Sequence, residues 1–110
     1  MMDEDQGPEE RDDVSRIEFE WYPSKAERNL RKHGVSFHEA STTFGDRRLL
    51  TVPDVEHSLT EERYLAIGKS EQGRLITLVF TDRDERIRLI SARLSEPWAR
   101  REYEATNEQG

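Results

Sequence analysis

The chain has no cysteine among its 110 residues, which excludes disulfides and thiolate metal sites. It has no apolar run approaching the roughly 18 residues that a membrane-spanning helix needs. No apolar h-region follows the N-terminus, so a secretory signal is not expected. A cytoplasmic protein with no membrane partner is the resulting expectation. Also missing are a Gly-rich phosphate loop, an H-E-x-x-H pair and a G-x-S-x-G elbow, so no familiar catalytic motif announces a reaction. Hydrophobic residues make up only 33% of the chain. A domain of this length buries about 60–70% of its unfolded surface, so one modest core in a single domain is expected.

Charge, by contrast, is abundant and unevenly placed. The formal net charge is −7. Residues 1–13 hold seven acids (Asp3, Glu4, Asp5, Glu9, Glu10, Asp12 and Asp13) against the single base Arg11, a net of −6. The remainder is therefore close to neutral, at −1. An acidic run of this kind cannot bury enough apolar surface to fold. The expected organisation is a disordered acidic tail over 1–15, one domain over 16–104 and a flexible C-terminus over 105–110. The tail is either inert or a shield for a basic surface of the same molecule.

Periodicity supplies the elements. Ile17, Phe19 and Trp21 alternate with glutamates, the pattern of a half-buried strand. Pro23 suits the first turn of a helix that runs to about His33 and stops at Gly34. Its apolar face is narrow, essentially Ala26 and Leu30. Ser36 and Glu39 form a capping box for a second helix, with Phe37, Ala40 and Phe44 as its buried stripe and Gly45 as its end. Short strands follow at about Leu49–Val52, Arg63–Gly68, Arg74–Thr81 and Arg86–Leu94. Gly73 serves the first connecting turn of the last three strands and Asp82–Glu85 the second, so an antiparallel meander is expected. Leu75–Phe80, apolar on both faces, reads as the central strand. A last helix begins near Ser95. The order β-α-α-β-β-β-β-α gives an α+β fold, an antiparallel sheet of four to five strands with two N-terminal helices on one face and the other face partly open.

Several polar residues could carry chemistry. In strict alternation, Arg86 and Arg88 share one strand face with Ile90 and Ala92, while Ile87, Leu89, Ser91 and Arg93 share the other. Two arginines side by side can grip successive phosphates, or they form a solvated edge salt-bridged to neighbours such as Glu62. Arg93, at the strand's end on the more apolar face, pairs with a buried acid or points into a cleft. In the loop after Pro53, His57 and Glu61 can serve as general acid and base, or the loop is a solvent-exposed connection. The pair could hold a metal only on a helix, which Pro53 and the following strand oppose, so no metal site and no cofactor are expected. His33 at a helix C-terminus is explained by the dipole. Trp21, Tyr22 and Trp98 are core or rim aromatics before they are base-stacking platforms.

The stretch W-Y-P-S-K-A-E-R-N-L-R-K-H-G-V-S-F-H-E-A-S-T-T-F-G-D, from Trp21 to Asp46, resembles the BrnT family of bacterial toxins. So do D-V-E-H-S-L-T-E-E-R-Y-L-A-I-G, R-I-R-L-I-S-A-R and the closing R-R-E-Y-E, in the same order. The chain departs from the family at Tyr22, where members carry an acid, and in its acidic N-terminal extension. The resemblance implies a toxin of a type II toxin–antitoxin system with a RelE-like fold. It implies metal-independent endonucleolytic cleavage of RNA, an arrest of translation, and neutralisation in a hetero-oligomer with a DNA-binding, BrnA-like antitoxin. RNA supplies its own nucleophile, the 2′-hydroxyl, so the enzyme needs a base, an acid and cations for the phosphorane charge. On that reading His57 and Glu61 are the candidate base and acid, Arg63 and Arg93 the stabilisers, and Lys25, Arg86 and Arg88 the RNA-backbone contacts. The competing expectation is a non-catalytic protein-binding module of the same fold. A DNA-binding repressor finds no recognition-helix pattern and no concentrated basic face.

Overall fold

The structure, a computed structural model, describes residues 16–57 and 61–108, without the side chains of His57 and Glu108. The acidic segment 1–15 lies outside the described residues. Five strands form one sheet in the order β1-β5-β4-β3-β2, where β1 is Glu18–Glu20, β2 Leu50–Pro53, β3 Tyr64–Lys69, β4 Leu75–Arg83 and β5 Arg86–Leu94. The helices are α1 (Pro23–His33), α2 (Phe37–Ser41) and α3 (Pro97–Glu108), the last continuing beyond Glu104. The α+β class and the central place of β4 agree with the sequence reading; the helix order differs in detail, because α2 stops at Ser41 and 3₁₀ turns follow at Thr42–Gly45 and Val55–His57.

The sheet is mixed, which corrects the expectation of a purely antiparallel one. β1 pairs in parallel with β5, Glu18 opposite Arg86 and Glu20 opposite Arg88, while the other three pairings are antiparallel. The two helices between β1 and the rest of the sheet supply the long crossover that a parallel pairing requires.

A second correction concerns the two faces of β5. Between Val79 and Phe80 the register shifts, so that Phe80 faces Leu89 and Val79 faces Ser91. Ile90 is the extra residue of a β-bulge, and it reverses the alternation. Leu89 and Ala92 therefore share the core face. Ser91 and Arg93 move to the face that carries Arg86 and Arg88.

The main core lies on the first of these faces. Val35, Phe37 and Ala40 pack there on Ala66, Ile76, Leu78, Phe80, Leu89 and Ala92, all buried. Two aromatic pairs close it, Phe19–Phe44 tilted at 5.2 Å and Phe44–Phe80 edge-on at 5.2 Å. α2 begins as read: the Ser36 hydroxyl accepts from the Glu39 amide at 3.0 Å. The Glu39 carboxylate, however, does not return to the cap. It is buried and takes a forked hydrogen bond from Arg74 and another from Ser70. After Ser41 the helix tightens into a 3₁₀ turn, Thr42–Gly45. The hydroxyls of Ser41, Thr42 and Thr43 each donate to the carbonyl three residues back, the competition with the helical ladder expected of such side chains.

α1 docks by polar contacts. Leu30 is 49% exposed and Asn29 is the buried residue. β1 ends opposite Arg88, which leaves the outer edge of β5 bare from there on. Asn29 takes over: its amide donates to the Ala92 carbonyl (2.8 Å) and accepts from the Ala92 amide (3.1 Å), with a further bond to the Val35 carbonyl (2.9 Å). One side chain thus stands in for a strand partner and satisfies backbone groups that would otherwise be orphaned.

α3 covers one end of the opposite face, where Ala99 and Tyr103 pack on Ile67 and Leu75. The Tyr103 hydroxyl donates to Asp46 at 2.7 Å and fastens the helix to the far side of the sheet. The rest of that face is partly open: Arg83 and Arg86 are exposed and Arg88 is half-buried, while Thr77 and Thr81 are buried.

Candidate active site

This partly open face is built by alternation along three strands. Thr77, Val79, Thr81 and Arg83 of β4 stand between Leu65 and Ile67 of β3 and the β5 set Arg86, Arg88, Ser91 and Arg93. β1 adds Glu18 and Glu20 beside Arg86 and Arg88. Where β3 begins, the buried Thr81 hydroxyl donates to the Glu62 carbonyl at 2.6 Å, and the Asp54 amide donates to the Arg63 carbonyl at 2.8 Å. These two bonds fix the backbone from which Glu61 and Arg63 project.

Glu61 is the centre of the charge cluster. One carboxylate oxygen lies 3.6 Å from Arg63 and the other 3.7 Å from Arg83. Arg88 stands close enough to feel its charge. The Arg88 guanidinium donates to Glu20 (2.9 Å) and to the Tyr22 hydroxyl (3.2 Å), and lies 5.0 Å from the centre of the Tyr22 ring. The Glu20 hydrogen bond raises its pKa above the ordinary arginine value against the opposing effect of desolvation, with Tyr22, Glu20 and Glu61 adding to the rise. Arg86 is tied to Glu18 (3.0 Å) and approaches Glu20 (3.8 Å).

The residues read from the sequence thus separate into groups. Glu61, Arg63 and Arg88 meet on one patch. Arg86 sits one step outward, in ion pairs with β1. Its partners are Glu18 and Glu20 rather than the Glu62 considered from sequence, and Glu62 instead accepts from the Tyr64 hydroxyl at 3.0 Å. Arg93 pairs in register with Thr77, four residues along β4 from the Thr81 that faces Arg88, about 13 Å at strand rise. It is exposed and is not part of the Glu61 patch. Lys25 stands near Tyr22, its ammonium 5.8 Å from the ring centre. His57 ends a short 3₁₀ turn, Val55–His57, and its side chain lies outside the described residues. Among the described residues no three His, Asp or Glu side chains are grouped as a bound metal ion would need.

Three members of the patch escaped the sequence reading. Arg83 was assigned to a turn, but β4 extends through it. Glu20 and Tyr22 reach the patch only because β1 pairs with β5, and no local pattern announces a parallel partner 68 residues away. The alternation of glutamates with Phe19 was the one signal for Glu20.

Fold and patch define a class: small α+β proteins that display arginines around a carboxylate on one partly open sheet face. The chain belongs to the family described as "Ribonuclease toxin, BrnT, of type II toxin-antitoxin system", whose model matches residues 21–97. Members of that family are ribonuclease toxins that act with a cognate antitoxin. Among solved structures the chain is similar to the 1.1 Å crystal structure of the Brucella abortus ribonuclease toxin, BrnT. The match has a TM-score of 0.58 at 20% identity and covers 73% of this chain and 97% of that one. At this identity the likeness is one of fold. No curated protein matches the chain.

Proposed function

We propose that the chain is a metal-independent endoribonuclease toxin and that the Glu61 patch is its catalytic centre. The observation that carries this reading is the meeting of Glu61, Arg63, Arg83 and Arg88 on a sheet face left open to a strand of RNA. An ionised carboxylate accepts hydrogen bonds only, so Glu61 suits the base. It takes the proton of a 2′-hydroxyl, whose oxygen attacks the adjacent phosphorus. The bond to the 5′-oxygen breaks, leaving a 2′,3′-cyclic phosphate and a 5′-hydroxyl. His57, four positions before Glu61 in the sequence, is assigned the proton delivered to that leaving oxygen. Arg63, Arg83 and Arg88 offset the charge that builds on the phosphorane. Arg93 and Lys25 are assigned to flanking phosphates. The enzyme arrests translation in the cytoplasm by cutting RNA, and a DNA-binding, BrnA-like antitoxin neutralises it in a hetero-oligomer.

A second reading has its own observation. Arg86 and Arg88 are tied to the glutamates of β1, as in a structural seam, which favours a non-catalytic module that keeps the fold and the antitoxin contact. Regulated expression in bacteria separates the two. Growth arrest with early RNA fragmentation, relieved by Glu61→Gln or Arg63→Ala, is the expected result. Normal growth with soluble, folded protein would leave the binding module.

A further inference from the structure

The cations of this protein fall into two populations. Arg63, Arg74, Arg83, Arg86 and Arg88 all face carboxylates. Lys25, Arg28 and Lys32 of α1 form no ion pair among the described residues. Their spacing of three and four places them on one stripe of the helix. That stripe walls an open cleft of about 210 Å³ between α1 and β5, completed by Asn29, His33, Ile90 and Ser91. Among the described residues no carboxylate lines it.

The cleft is held in place by features already described. Asn29, in the middle of the stripe, clamps α1 to the backbone of Ala92. The bulge at Ile90 turns Ser91 onto the same face as Arg88. From Arg88 to Ser91 the register advances two residues along β4, about 7 Å, so the cleft adjoins the Glu61 patch along β5. Arg93, exposed and without an ion pair among the described residues, continues the same row.

We propose that this cleft is a binding site for the phosphates of single-stranded RNA, with Arg28 and Lys32 as its principal contacts and Ser91 as a hydroxyl donor. The proposal rests on reading the Glu61 patch as the site of RNA cleavage, and it moves the backbone grip from Arg86 to α1. Arg86 already spends its charge on Glu18 and Glu20. Cations on a fixed helix that hold no ion pair among the described residues are placed to meet a phosphate and release counterions from the nucleic acid. Among the described lining residues Ile90 alone has an apolar side chain, which offers no aromatic or aliphatic cluster of the kind that anchors a protein partner.

The test is binding of the full-length chain to a single-stranded RNA carrying 2′-O-methyl groups at every sugar, which cannot be cut, across a salt series. The Arg28→Gln/Lys32→Gln double variant, at two exposed positions, is expected to bind more than about tenfold more weakly near about 50 mM salt. Its slope of log affinity against log salt should fall by about 1.4, the loss of two single-strand phosphate contacts. Arg86→Gln should leave the slope unchanged. Wild-type affinity and slope in the double variant would overturn the site, as would an equal loss in Arg86→Gln. A polyglutamate peptide of matched charge that binds as tightly through the same two residues would assign the cleft to acidic polypeptides and overturn it too. A chain that grips this RNA through α1 yet cuts no natural RNA keeps the binding site and refutes the ribonuclease. One that cuts RNA while the double variant binds normally refutes the binding site alone.

Discussion

Two buried acids show how single residues hold the frame behind the site. Glu39 joins α2 to the β3–β4 connection through Arg74 and Ser70. The Arg74 hydrogen bond lowers its pKa against the cost of burial, and Ser70 and the Arg74 charge assist. A carboxyl with a depressed folded pKa stabilises the fold above its unfolded value, and that contribution disappears as pH falls through the folded one. Glu39→Gln leaves the partly exposed Arg74 facing a neutral group and is expected to cost about 1–2 kcal/mol at neutral pH. Urea unfolding checks the loss, and the variant's stability should fall less than the parent's as pH drops below the ordinary glutamate value of 4.5. Tyr103 shows the alkaline counterpart. Burial first, and then the Asp46 hydrogen bond and charge, push its hydroxyl up to about 12 from 10.0. The raised pKa means stability fully present below pH 10 and lost as pH rises from there towards 12. Tyr103→Phe should cost about 1–2 kcal/mol at neutral pH. It should also remove the most alkaline tyrosinate from an ultraviolet titration of the folded chain.

At the scale of elements, the sequence was a good guide wherever a local rule was enough. Ser36 capped α2, Gly34 ended α1 in the left-handed region at φ 70, and β5 ran from Arg86 to Leu94 as read. Three features had no local signature. The bulge at Ile90 is set by how β4 and β5 pack, and it moved Ser91 and Arg93 across the sheet. The parallel pairing of β1 depends on a partner far along the chain. Asn29 looks like any polar helix residue until the bare edge of β5 is known, and α1 needs no broad apolar face because hydrogen bonds dock it. The β4–β5 turn carries a testable imperfection. Asp84 and Glu85 both adopt positive φ, 52 and 69, as a two-residue hairpin turn of the primed type demands. Aspartate tolerates this region better than glutamate does. Glu85→Gly is therefore expected to stabilise the protein by about 0.5–1 kcal/mol, read as a higher thermal midpoint with RNA cleavage unchanged.

For the whole molecule, the separation of labour between the two sheet faces is the main result. One face holds the aromatic and aliphatic core under α2. The other is closed at one end by α3 and otherwise displays charge, the Glu61 patch and the β1–β5 ion pairs, while the stripe of α1, without an ion pair among the described residues, flanks the outer edge of β5. Glu61, Arg63 and Arg88 were legible in the sequence as candidates for this surface, because loop carboxylates and strand arginines announce themselves by residue type. The sequence missed Arg83, Glu20 and Tyr22, whose place follows from tertiary pairing alone. The acids of segment 1–13 account for −6 of the net charge of −7 and leave the remainder near neutral, so the chain's net charge alone does not exclude local cationic stripes.

The central claim is tested most directly by incubating the purified full-length chain with single-stranded RNA in excess chelator and analysing the new ends. The account predicts cleavage to 2′,3′-cyclic phosphate and 5′-hydroxyl termini, reduced about 10²–10³-fold by Glu61→Gln and by Arg63→Ala with the fold intact. Cleavage that stops in chelator, or that persists at the parental rate in both variants, would contradict it.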